Sequence, residues 1–204
     1  MGPTDTNRKG KTMSAAISRI PIETPLYGIS PSFIAALHSD GPAPDRADKM
    51  GLYGWLIGAW EMDVHVPQAN VAHYEGKGEI HFGWVLEGRA IQDVWITPPR
   101  GRRNDPIASA ADFYGSTFRI YDPGIDAWHI FWLDPVKQFY SRMLGRAAGA
   151  DIEQLTVNET PQRRWRFSDI TPNSFHWTAD VDEGANGVVN WRRHVEFFAR
   201  RIAG

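Results

Sequence analysis

From Trp60 to Arg201 apolar and polar residues alternate with a period of two, and tight-turn signals interrupt the pattern roughly every dozen residues. That period sends successive side chains to opposite faces of a strand, so the chain reads as an antiparallel all-β domain. The pattern is carried by WEMDVHV (60–66), GKGEIHFGWVLEG (76–88), RAIQDVWIT (89–97), YGSTFRIYD (114–122), AWHIFWLD (127–134), QFYSRMLGRAAG (138–149), DIEQLTV (151–157), RRWRFSDI (163–170), SFHWTADV (174–181) and NWRRHVEFFARR (190–201). Gly88, between the second and third segments, reads as a kink or turn, so about nine strands are expected. Proline beside Gly, Asn or Asp at 122–126 and 171–173 supplies the backbone angles of tight turns and makes consecutive strands neighbours. The polar stretch 98–112 reads as a mobile loop over one mouth.

The region ahead of the strands is different. Residues 13–44 contain Pro21, Pro25, Pro31, Pro42 and Pro44 and read as an arm with one short helix, capped by Ser30 or Ser32, with Phe33, Ile34 and Leu37 on its apolar face. Asp45 opens a second helical pattern in which Met50, Tyr53, Leu56 and Ile57 recur at helical spacing, fit to cover one end of the sheet. The expected division is an arm over 1–44 and a strand-rich domain over 45–204. Residues 1–12 precede a second methionine, Met13, and read as vector-derived or as an upstream start.

Gly58-Ala59-Trp60, between that helix and the first strand, resembles the Gly-x-Trp start of lipocalin and calycin barrels. There, glycine lets the chain turn past the barrel end and tryptophan plugs the bottom of the core. The run YDPGIDAWHIFWLDP (121–135), with Tyr121, Asp122, Trp132 and Asp134, further resembles an uncharacterised bacterial calycin-like family. The likeness spans roughly residues 50–201. It implies an up-and-down calycin-like barrel of about 8–10 strands and says less about function. Nitrobindin-like barrels hold haem through a histidine near the C-terminus, where this chain has His194; no other haem signature accompanies it, and no cofactor is expected. Fatty-acid-binding barrels hold a carboxylate with buried arginine, a role open to Arg142 or Arg119.

Composition removes several classes of function. A net charge of −2 and a pI near 6.4 disfavour nucleic acid and anionic lipid as partners. Without cysteine there is no disulfide, thiolate nucleophile or cysteine-bound metal, which suits a reducing, cytoplasmic setting. No apolar run reaches the length of a signal-peptide core or a membrane span. His65, His73 and His81 follow no metal-binding spacing, so no metal is expected, and no nucleophile elbow, phosphate loop or dinucleotide fingerprint occurs.

Candidate chemistry lies on the strands. Ile91, Asp93 and Trp95 share one face, and an aspartate walled by rings would be desolvated and able to act as a general acid or base, unless that face looks outward. On 127–134 both faces are apolar: Trp128, Ile130 and Trp132 on one, His129, Phe131 and Leu133 on the other. The outer one needs a cover, either the arm or a second subunit in a homodimer. His176 shares a face with Thr178 and Asp180, and His194 one with Arg192, Glu196 and Phe198; chance pairing of seven histidines competes with an acid-base role for each.

Nine tryptophans supply the material of an aromatic cavity, with Trp84, Trp95, Tyr121, Trp132, Arg142 and Trp177 as candidate ligand-binding residues. The expected function is binding of an apolar or aromatic small molecule. The alternative is a cofactor-independent isomerase, lyase or cyclase drawing on Asp93, His129, His176 and His194.

Overall fold

The computed structural model describes residues 31–67, 74–103 and 112–202. Two short helices, α1 (Pro31–Leu37) and α2 (Ala47–Gly54), precede ten strands. These are β1 (Gly58–Val66), β2 (Tyr74–Val85), β3 (Ala90–Thr97), β4 (Phe113–Asp122), β5 (Ala127–Asp134), β6 (Phe139–Ala148), β7 (Asp151–Thr156), β8 (Arg163–Ser168), β9 (Ser174–Asp182) and β10 (Trp191–Arg201). Each strand pairs antiparallel with its neighbours in sequence, and β1 closes on β10 from Trp60↔Arg201 to His65↔Glu196. The product is an up-and-down barrel of the calycin-like class, with no open sheet edge. No helix among the described residues is long and apolar enough to cross a membrane.

The period of two sets what is inside. Trp60, Met62, Val64 and Val66 of β1 are buried and face the interior, and the same alternation carries Thr117, Arg119 and Tyr121 inward from β4. On β5 the inner face is Trp128, Ile130 and Trp132; Phe131 and Leu133 lie outside, beside an exposed Tyr140 on β6 that pairs with Leu133. The second and third sequence segments are separate strands. Leu86, Glu87 and Gly88 all take positive φ in the turn between them, and a side chain at Gly88 would run into the backbone of Gly41–Ala43.

The helix α2 plugs one end. Met50, Tyr53 and Leu56 are completely buried, with the Tyr53 ring edge-on to Trp128 at 5.0 Å. Trp60 donates its indole N–H to Leu56 O at 2.7 Å, and the Arg201 guanidinium lies over its ring at 4.1 Å while donating to Ile57 O at 2.7 Å. Gly58 takes φ 123°, which fits the sharp entry into β1. The expected apolar face of α1 is largely open to solvent at Phe33 and Ile34, and the helix joins the barrel at its C-terminal end, where the Leu86 N–H donates to Leu37 O. The polar stretch expected over the mouth lies outside the described residues from 104 to 111; its first part forms a 3-10 turn over Arg100–Arg102.

Candidate functional site

The end away from α2 opens into a cavity of about 450 Å³. It has a polar floor, an aromatic wall and a charged mouth.

At the floor, Asp93 of β3 and Arg119 of β4 form an ion pair that is almost wholly excluded from solvent. Desolvating two charges costs several kcal/mol per ion, so the pair persists only with compensation. Compensation comes from the Thr117 N–H, which donates to the second Asp93 oxygen at 2.7 Å, and from three rings around the guanidinium: Tyr53 at 5.4 Å, Phe82 at 5.5 Å and Phe167 at 5.8 Å. Burial pushes the Tyr53 phenol up, so it stays neutral. Among the described residues the Nε of Arg119 has no partner, nor have the Tyr53 hydroxyl and the Gln154 amide.

The wall is a continuous belt of six rings. Trp95 meets Trp177 at 5.3 Å, Trp177 meets Trp165 at 5.4 Å, Trp165 meets Trp132 at 6.1 Å and Trp132 meets Phe113 at 6.2 Å. Phe197 closes it, 5.8 Å from Phe113 and stacked on Trp177 at 4.8 Å. Parity explains the belt, since each ring stands at an inward position of β3, β4, β5, β8, β9 or β10. The indole N–H groups of Trp95 and Trp177 are buried without a hydrogen-bond partner.

At the mouth stand Lys137, Arg163, Arg192 and His194. A β-bulge between Arg193 and Val195 breaks the alternation of β10, so that Arg192 and His194 both line the cavity. Loss of water around the imidazole, and then the positive charges of Arg192, Lys137 and Arg163, hold its pKa below the ordinary histidine value. The two lining carboxylates are already engaged: Asp134 accepts the Val136 and Lys137 N–H groups, and Asp180 accepts from Arg164 and Arg193.

The structure brings only some of the sequence-predicted residues together. Trp95, Trp132, Trp177 and His194 line the cavity, and Asp93 lies beneath it bound to Arg119. Asp93 thus faces inward, not toward solvent. Trp84 and Tyr121 belong to the plugged end: Trp84 lies against Gly54 of α2, and Tyr121 donates to Asp126 at 2.6 Å. Arg142 points outward and is exposed. His129 is on the outer face, 3.0 Å from Asp122; His176 is also outside, 2.9 Å from Glu196 and stacked on Phe198. No two of Asp93, His129, His176 and His194 share a hydrogen bond among the described residues. Trp165, Phe113 and Arg163 were missed, although the parity of RRWRFSDI already aligns Trp165 with Phe167.

A helix-plugged, ten-stranded up-and-down barrel with one open, ring-lined end is a calycin-like barrel. Among solved structures, the chain is similar to Rv2717c from M. tuberculosis, at 12% identity over 79% of this chain and 99% of that one, with a TM-score of 0.48. It is similar too to the S-type phycobiliprotein lyase CPES from Guillardia theta, at 11% identity over 76% of this chain and 92% of that one, with a TM-score of 0.49. No family model and no curated protein matches the sequence.

Proposed function

We propose that the protein binds a flat apolar or aromatic small molecule inside the open end of the barrel. The observation that carries this reading is the belt of six rings around a cavity of about 450 Å³, a size and lining typical of small-molecule sites. At the plugged end the barrel interior is filled by Met50, Tyr53 and Leu56, and at the other end it opens into the cavity. The acid-base alternative draws no support from this arrangement, since Asp93 is held by Arg119 and His129 and His176 lie outside the barrel.

Fluorescence titration with phenylnaphthylamine, a neutral probe with three aromatic rings, tests the reading. Saturable one-to-one binding is expected. Ala179 lines the cavity, so Ala179→Trp should fill it and abolish binding while the fold is kept. Absence of binding to the parent protein, or undiminished binding to the folded variant, would sink the proposal.

A further inference from the structure

The outside of the barrel differs from one side to the other. Among the described residues, the outer faces of β1, β2 and β7–β10 are crossed by ion pairs such as Arg200–Asp63, Arg166–Asp151 and Arg193–Glu196, as suits a sheet face turned to water. Among the same residues, the outer face of β3–β6 holds the single pair His129–Asp122. Apolar side chains take the place of charge there, and the register joins them into one patch. Phe118 lies opposite Phe131, Leu133 lies opposite Tyr140, and Ile120 and Leu144 flank His129. Their neighbours in the alternation point inward, so that Trp132, between Phe131 and Leu133, lines the cavity. A strand apolar on both faces is the pattern of one covered on both faces.

The size of the patch says what kind of cover fits. Tyr140 is 78% exposed, Leu133 50% and Phe131 37%. At roughly 200 Å² to a ring, these three leave about 300 Å² bare, and Phe118, Ile120 and Leu144, each partly exposed, extend the patch to about 400 Å². An ordinary stable interface buries about 800 Å² per partner, a little over half of it apolar, so the patch matches the apolar share of one such contact. Its charges are marginal: Arg142 and Arg146 stand on β6, at its border, and Asp122 stands at the end of β4. A partner of different chemistry would be selected by charge, of which this face offers little. An apolar face with nothing at its centre to repel its own copy is complementary to itself, the condition for a two-fold contact.

We propose that the outer face of β3–β6 pairs with the same face of a second copy of the chain, forming a two-fold homodimer. The pairing goes beyond the ligand-binding reading and does not depend on it, because it uses the opposite face of the strands that wall the cavity.

Sedimentation equilibrium of the full chain tests the proposal, and a dimer is expected. Leu133→Glu sets like charges against each other across the contact and should raise the dissociation constant at least about tenfold. Tyr140→Glu should do the same at the most exposed position of the patch, where the fold of the single chain has least to lose. Val188→Glu changes a comparably bare apolar side chain between β9 and β10, away from the patch, and should leave the dimer intact. Near-UV circular dichroism establishes that each variant is folded. A parent protein that sediments as a monomer up to its solubility limit overturns the proposal. So does a dimer that both patch variants leave unweakened, or one that Val188→Glu weakens as much as they do.

Discussion

Tryptophan serves both ends of this barrel, and its indole N–H is treated in opposite ways. At the plugged end, Trp60 donates to Leu56 O at 2.7 Å and Trp55 to Leu52 O at 2.9 Å, so each ring is fixed by the helix end it covers. At the open end the indole N–H groups of Trp95 and Trp177, both buried, have no hydrogen-bond partner among the described residues. The same side chain is therefore a closed joint in one half and an unfinished one in the other. A barrel selected for stability alone would finish both, because unmet buried donors are costly.

The contrast is broken most directly by truncating one ring from each end. Trp60→Ala should destabilise the protein by about 3–5 kcal/mol, since it opens a void in a fully buried site and frees Leu56 O. Trp132→Ala, at a half-buried position of the cavity wall, should cost less than about half as much and instead weaken probe binding. Urea denaturation read by far-UV circular dichroism compares the two; equal losses would mean that the ends are not built differently.

A smaller effect is expected from acid. Glu79 on β2 is held down to a pKa of about 2, first by its side-chain hydrogen bonds to Arg100, which fasten the 3-10 turn at Arg100–Arg102 at 2.9 Å on both oxygens. A carboxylate depressed on folding adds stability above its unfolded value of 4.5, and that stability drains away as pH falls toward 2. Arg100 is well exposed, so the contribution is screened and modest. The melting temperature of Glu79→Gln should therefore approach that of the parent between pH 4.5 and pH 2, having been lower at neutral pH. A constant gap across that window would show that the clasp does not operate.

The smallest expected effect is local to the mouth. His194 should titrate below pH 6.5 in an NMR experiment, and Arg192→Gln should move its midpoint upward by removing one of the cations facing it. Since the folded protein disfavours the protonated ring, this group subtracts stability as pH drops below 6.5. An unshifted midpoint in the variant would remove Arg192 from the account of the mouth.

Much of the fold was written plainly in the sequence. Alternation placed all ten strand segments within a few residues of their ends, and Gly58-Ala59-Trp60 marked the plugged entry to β1. The turn at 86–88 was harder, because Leu86 and Glu87 carry no sequence sign of the positive φ they adopt. On β5, periodicity alone could not choose between two apolar faces; closure of the barrel against β4 and β6 decides it. The mouth was the least legible part. Strict alternation sends His194 outward with Glu196 and Phe198, and only the bulge at 193–195 turns it to the cavity. Asp93 and Arg119, 26 residues apart, become partners through the β3–β4 register, which pairs Asp93 with Thr117 and leaves Arg119 one inward step below.

The aromatic belt has an optical consequence. Four indoles in sequence, Trp95, Trp177, Trp165 and Trp132, stand 5.3 to 6.1 Å apart, close enough for excitation absorbed by any one of them to migrate among the rest. Light taken up anywhere on the wall therefore samples the whole cavity before it is emitted. A bound chromophore touching a single ring would dim all four, which makes the unlabelled protein a reporter of its own occupancy.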